Sequence, residues 1–442
     1  MCASNPTAEV ITRSASVLRA VSATGSTSGW RFALLTCACL WSIDSGAADG
    51  SNADERTLVP SLSYDADAGD VSQGGRSEGS TYTGLLHLRL RWIVPTASEW
   101  RGTSAFLDVR NIHGGHLSDL VGDAQGVSNV DGPDGSAVHE LWIQHDFQWS
   151  GVSLLGGIYD LNSEFDRLQA AGLFLDSSFG VTPEFAESGT TGPSIFPRTA
   201  AALRFSVKPW NGALLRAALV NGDSLERPDG SHALFRRGDG VLEVVEWSML
   251  RRPDATGDEP LLPRIFGRFS PLPTYEDKVA VGVWRYSKHL PEAGVADDDP
   301  DTPRHSSEGG YMIGEWRLFG RGADSKKQVS GFAQLGFASP ATNRFGSYFG
   351  GGLVATGWLF GKDADQIGVS VASAQEGSTW RRDAALAGGR PVKAETTWEL
   401  SYLSQVKKWL TLEPDLQLVD HPNADAELRN ALVFQLRSEI TF

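Results

Sequence analysis

Apolar and polar residues alternate along most of this chain, in runs of about eight to twelve residues, the period of half-buried β-strands. Thr81–Trp92 sets Tyr82, Gly84, Leu86, Leu88, Leu90 and Trp92 on one face and Thr83, Leu85, His87, Arg89 and Arg91 on the other. In the next run Ala105, Leu107 and Val109 oppose Phe106, Asp108 and Arg110. Ala201, Leu203, Phe205 and Val207 oppose Ala202, Arg204 and Ser206, and Leu215, Ala217 and Leu219 oppose Arg216. The last run carries Leu432, Phe434, Leu436, Ile440 and Phe442 against Val433, Gln435, Arg437, Glu439 and Thr441, with Ser438 interrupting the apolar side. No stretch beyond residue 48 has helical periodicity of useful length.

Two architectures fit such alternation. In a soluble sandwich the apolar faces pack together and the charged faces meet water. In a membrane barrel the apolar faces meet lipid and the charged faces line a wet lumen. Three features favour the barrel. The runs recur without a domain linker. Aromatic residues stand at run ends (Trp92, Trp100, Trp149, Trp358, Trp409), as interfacial girdles require. The chain also closes on an alternating strand ending at Phe442. At about 9–11 residues per membrane strand, the length accommodates about 16 strands and leaves ample chain for loops. The expectation is an all-β transmembrane antiparallel barrel of about 16 strands, wide enough for an aqueous channel. Candidate long loops are 111–136, 161–198, 221–239, 251–276, 288–308 and 376–393, rich in Gly, Pro, Asp and Ser.

Residues 32–43, FALLTCACLWSI, form the longest apolar run, too short for a membrane helix of about 20 residues. Arg31 precedes it and Gly46, Ala47 and Ala48 follow. This layout predicts a signal peptide over 1–48 and a barrel over 49–442. The cysteines, Cys2, Cys37 and Cys39, all fall inside that leader, which removes thiol catalysis and cysteine-bound metal from consideration. The formal charge of −15 argues against nucleic-acid partners. The acidic cluster Asp297, Asp298, Asp299 and Asp301 lacks the ligand order of a calcium loop and reads as solvated chain. His113 and His116, separated by two glycines, have no third ligand nearby and read as a chance pair. No nucleophile elbow, phosphate-binding loop or zinc-protease motif is present. No cofactor or metal is expected.

The block GGIYDLNSEFDRLQAAGLFLDSSFGVTPEFAESGTTGPSIFPR (156–198) and the later TWELSYLSQVKKWLTLEPDLQLVDHPN (397–423) resemble the carbohydrate-selective porins of the OprB type. Weaker matches lie at VGVWRYS (281–287), Asn343-Arg344-Phe345 and GKDADQIG (361–368), so the resemblance spans about residues 60–442. Three positions depart from the family pattern: Gln334 and Lys362, where arginine is usual, and Asn423, where glycine is typical. The first two bear on pore charge. The resemblance implies an outer-membrane diffusion channel for monosaccharides, glucose foremost, embedded in outer-membrane lipid and lipopolysaccharide. A terminal aromatic such as Phe442 is similar to the signal that barrel assembly machinery reads. A monomer and a homotrimer both stay open. Alternatives are a barrel with general or small-anion or acid preference, and a barrel-based enzyme or adhesin.

A sugar is neutral, hydroxyl-rich and apolar on its ring faces. A pore favouring it should offer paired donors and acceptors beside an aromatic surface. A charge on the lipid face at mid-membrane costs about 2–4 kcal/mol, so charged residues on alternating strands face inward. The pore-lining candidates are Arg89, Arg91, Asp108, Arg110, Glu140, Arg204, Arg216, Glu399 and Arg437, with Trp142 for sugar stacking or for packing beneath a loop. The 159–198 block holds too many apolar residues for a solvated loop and is expected to fold into the lumen. Asp160, Asn162, Glu164 and Asp166 would then form a constriction, although Asn162, Ser163 and Asp166 also suit turn capping.

Overall fold

The computed structural model describes residues 57–95, 97–147, 151–224, 235, 238–251, 275–294, 303–321, 325–360 and 362–442. The predicted leader, Trp149 and the acidic cluster at 297–301 lie outside them. Sixteen strands close into one antiparallel barrel. They are β1 (Leu58–Gly75), β2 (Gly79–Ile93), β3 (Thr103–Gly114), β4 (Gly135–Phe147), β5 (Val152–Tyr159), β6 (Ala200–Val207), β7 (Ala213–Asn221) and β8 (Val241–Arg251). The second half comprises β9 (Asp277–Tyr286), β10 (Glu308–Phe319), β11 (Gln328–Ala338), β12 (Phe345–Thr356), β13 (Gln366–Glu376), β14 (Ala394–Lys407), β15 (Leu410–Asp420) and β16 (Arg429–Thr441). Each strand pairs with its sequence neighbour, and β1 pairs with β16 to close the seam, for example Asp67 opposite Arg437. No helix among the described residues is long and apolar enough to cross a membrane.

The alternation maps onto this wall as a barrel requires. Leu88, Ile143, Leu203, Val283, Phe337, Leu353 and Phe434 are exposed on the outer face. His87, Asp108, Gln144, Arg204, Glu246, Glu315, Gln417 and Arg437 are buried inside. Outward aromatics fall toward the two strand ends: Trp92, Trp316, Trp358 and Trp409 near one, Tyr82, Phe337, Phe349 and Trp398 near the other. This is the double girdle that interfacial anchoring produces.

Both described chain ends and most short turns lie at one rim. The strand ends that flank the long connections 115–134, 160–199, 222–240, 287–307 and 377–393 face the other. β8 ends at Arg251 and β9 begins at Asp277 on the rim that carries the chain ends, although the sequence between them is long. Strand direction, not loop length, decides the side.

Two long connections turn into the barrel. The first, 115–134, carries α1 (Leu117–Val121), whose Leu117 and Val121 pack with Val71, Val419 and Val433. Its Leu and Val residues are the apolar signal that a reading of loop composition passes over. The second, 160–199, buries Phe165, Phe174, Phe179 and Phe185 in one core with Trp284, Tyr311, Phe332 and Tyr348 of the wall. Burying a Phe or Leu side chain contributes about 1.5–3 kcal/mol, so these residues hold the loop inside rather than in water. Its α2 (Pro183–Ala186) seats Glu184 against β11, where a Cβ at Gly336 would come within 2.0 Å of Glu184 Oε1. Gly368 allows the same close approach to Leu173 and Phe174.

Candidate functional site

An irregular segment inside a barrel exposes backbone N–H groups that neither water nor a helix satisfies, so acceptors must come from the wall. Wall carboxylates supply them. Glu246 Oε2 accepts from Asp166 N at 2.9 Å, and Glu315 Oε2 from Gln169 N at 2.8 Å and Ala170 N at 3.0 Å. Glu399 accepts from Leu175 N and Asp176 N. Glu395 accepts from Ala124 N at 2.8 Å and Gln125 N at 2.9 Å in the first inward loop. Gln417 and Gln435 both donate to Val127 O, at 2.9 and 2.7 Å.

Charges inside the long loop are settled by the same wall. Burial pushes the Glu164 carboxyl up, but Arg204 and then Arg216 override it and hold it below the usual carboxylate range. Arg204 Nε lies 2.7 Å from Glu164 Oε2, and Tyr159 OH donates to the same oxygen at 2.6 Å. Asp166 and Glu184 have no such paired cation among the described residues. Burial raises Asp166 to about 7. Burial, then the neighbouring Asp166, raises Glu184 to about 8. Thr182 Oγ1 lies 2.8 Å from Asp166 Oδ2 and 2.7 Å from Glu184 Oε1. One hydroxyl proton cannot serve both carboxylates, so a protonated Glu184 completes the set.

A cavity of 320 Å³ lies between the two inward loops and β1–β4 and β16. The wall contributes Ser63, Asp65, His87, Arg89, Asp108, His139, Glu140, Arg437 and Glu439, and the long loop contributes Asp160, Asn162, Ser163 and Arg167. Leu85, Val130 and Phe196 supply apolar surface. The volume falls at the lower end of small-molecule sites, about 300–1,000 Å³. His87 Nδ1 lies 2.8 and 2.9 Å from the Asp108 oxygens. Arg89 Nε lies 3.3 Å from Asp108 Oδ2, and its Nη1 donates to Ser63 Oγ at 2.8 Å.

Of the candidates named from sequence, Arg89, Asp108, Glu140, Arg437, Asp160 and Asn162 meet at this cavity. Most of the others serve the loops. Arg204 and Arg216 pair with Glu164, and Glu399 anchors Leu175. Arg110 Nε donates to Pro197 O at 3.0 Å, and Arg91 is buried toward the opposite rim. Trp142 packs on Phe106 with ring centroids 5.3 Å apart, in the core beneath the loop and not on the cavity. Asn162 donates to Gly180 O at 2.7 Å and so also fastens the loop. Gln334 is fully buried beneath the loop, so it does not set cavity charge as the sequence suggested. Lys362 donates to Ser404 Oγ at 2.9 Å. Asn423 takes φ 60°, which its short amide side chain tolerates, and its Oδ1 accepts from Arg344 at 2.7 Å. His113 belongs to β3 and stacks on Tyr64, and His116 pairs with Asp131 at 2.6 Å.

His139 is the wall residue that alternation misses. Asp108 pairs with Glu140 while Val109 pairs with Val138, so one residue of β4 bulges. A bulge re-aims a side chain. Here it turns His139 and Glu140, consecutive in sequence, to the same inner side. A polar His-Glu pair breaking the alternation was the available signal.

The profile of the carbohydrate-selective porin, OprB family, matches residues 77–442. Porin B of Pseudomonas aeruginosa is 26% identical over 152 residues, 31% of this chain. That match spans 34% of the length of this curated relative. The high-pH structure of Pseudomonas putida OprB superposes with a TM-score of 0.72 at 19% identity, over 87% of this chain and 94% of that one. The low-pH structure of the same protein gives 0.51 at 14% identity, over 87% and 93%. With the family matched over most of the barrel and the fold shared, the chain belongs to the OprB family of carbohydrate-selective porins, β-barrels of the bacterial outer membrane.

Proposed function

We propose that this barrel is a passive channel admitting small carbohydrates, monosaccharides such as glucose, to the periplasm. One observation carries the reading: a cavity between the wall and the long loop is lined by close-set donors and acceptors beside apolar surface. Arg89 and Arg167 offer guanidinium donors, and Asp108, Glu140 and Asp160 offer acceptors, within one 320 Å³ space that also holds Leu85 and Phe196. A neutral polyol can exchange its water for such groups on all sides. A channel must let it go again, so many weak contacts suit passage better than one strong one.

The balance of charge speaks against the small-anion alternative. Five carboxylates (Asp65, Asp108, Glu140, Asp160, Glu439) face three arginines across the cavity. A ring with surplus acid repels anions. The family and fold support a channel and not a catalyst. The leader over 1–48 and recognition of Phe442 by assembly machinery belong to the same reading.

Liposome swelling with the purified barrel tests it. Glucose should enter faster than amino acids or small organic acids of similar size. Equal rates for all three solutes would remove the carbohydrate preference and leave a general pore.

A further inference from the structure

The bulge in β4 brings together more than a sugar contact needs. An oxygen of Asp108, a ring nitrogen of His139 and an oxygen of Glu140 all lie within 4.8 Å of one another. We propose that these three residues bind one divalent transition-metal ion of the zinc type in the cavity wall.

The donor set selects the ion. One imidazole with two carboxylates suits zinc-type ions, whereas calcium and magnesium favour oxygen ligands alone. Tetrahedral bonds of about 2.0–2.2 Å set ligand atoms about 3.4 Å apart, so the three, which lie within 4.8 Å of one another, must draw together by up to about 1.4 Å through side-chain rotation.

Each ligand is already oriented from behind, as metal sites require. His87 Nδ1 bridges both Asp108 oxygens and Arg89 Nε donates to Oδ2, so the ion would take Oδ1 in place of the imidazole contact there. Trp142 Nε1 donates to Glu140 Oε1 at 3.1 Å, and Asp160 N donates to the same oxygen at 3.3 Å. His139 Nε2 lies 3.2 Å from Asp160 Oδ2. A ligating histidine characteristically gives one ring nitrogen to a carboxylate and the other to the ion. His139 has that asymmetry: it is only 5% exposed, and its Nδ1 meets no hydrogen-bond partner among the described residues. All three residues border the cavity, the side from which an ion would reach them. Arg89 beside Asp108 opposes a cation, which makes this a weaker site than a closed structural one.

The test is a Co²⁺ titration of the untagged, detergent-solubilised chain, followed by visible absorption. One equivalent of Co²⁺ per chain should give a band that Zn²⁺ displaces. His139→Gln should weaken binding at least tenfold, and His116→Ala, at a separate histidine–aspartate pair, should leave it intact. Glu140→Gln provides a second variant, and heat-modifiable gel mobility identifies which variants are folded. No saturable band in the parent chain, or undiminished binding in folded His139→Gln and Glu140→Gln, overturns the proposal. The assay contains no sugar, so its failure is separate from failure of the channel reading.

Discussion

Arg437 grips Asp67 through two parallel bonds, Nε to Oδ1 and Nη2 to Oδ2, both 2.6 Å, across the seam where the first and last strands meet. The same guanidinium donates to Asn129 Oδ1 at 2.7 Å, and Ser128 Oγ donates to Asp67 Oδ2 at 2.6 Å, so the pair also fastens the first inward loop. Both side chains are buried. Breaking such a pair from one side costs about 3–5 kcal/mol, because the remaining charge stays desolvated. Arg437→Ala should therefore lower the thermal midpoint of the solubilised barrel markedly. Arg437→Lys should recover only part of the loss, since an ammonium cannot form the fork. A midpoint unchanged in Arg437→Ala would show the seam is held elsewhere.

The long loop limits the lumen. Removing 168–192 deletes Phe174, Phe179 and Phe185 from the core and frees the wall carboxylates Glu315 and Glu399. Single-channel conductance should rise severalfold. An unchanged conductance would mean that the narrowest passage lies outside this segment.

Gly336 offers a subtler version of that experiment. The barrel wall is rigid, and a Cβ there would meet the Glu184 carboxyl at 2.0–2.2 Å. Gly336→Ala should lift α2 from the wall while leaving the strands paired. Proteolysis within 180–195 should accelerate, with far-UV circular dichroism unchanged.

Glu184 and Asp166 also make the loop sensitive to pH. Both titrate near 4 in an unfolded chain, and burial raises them to about 8 and about 7 in the fold. Between about pH 4 and pH 8 the folded loop therefore binds more protons than the unfolded one. Its stability should fall as pH rises through that window and be undiminished below it. Glu184→Gln removes one titration. It should stabilise the protein at pH 8.5 by a few kcal/mol, since each tenfold difference in proton affinity between the folded and unfolded chain is worth about 1.4 kcal/mol. At pH 4 it should have little effect. Equal effects at both pH values would contradict this origin.

Particular residues show where sequence reading succeeds and where it stops. Period-two alternation assigned Leu88 outward and Arg89 inward because each strand has two faces with opposite solvents. Alternation places His139 on the outer face, and only its standing next to Glu140 as a polar pair hints at the one-residue bulge that turns it inward. Inward orientation was legible for Arg204 and Glu399, but their task was not. Whether a lumen charge meets solute or a loop backbone depends on contacts far away in the chain, such as Glu399 with Leu175, 224 residues apart. Trp142 illustrates the same limit, since an inward aromatic can stack on a solute or lie under a loop, and Phe106 with the long loop decides it.

In the proposed channel, solute passes along the cavity between β1–β4, β16 and the long loop. Each cysteine of the natural chain lies within the first 39 residues, so a chain lacking the leader accepts a single reporter thiol. Ser163→Cys places one on the cavity, and Leu88→Cys places one on the outer face. A charged methanethiosulfonate added from water should modify Ser163→Cys and cut glucose entry into liposomes, while leaving Leu88→Cys unchanged in flux. Full modification at Ser163→Cys with glucose entry undiminished would contradict the route.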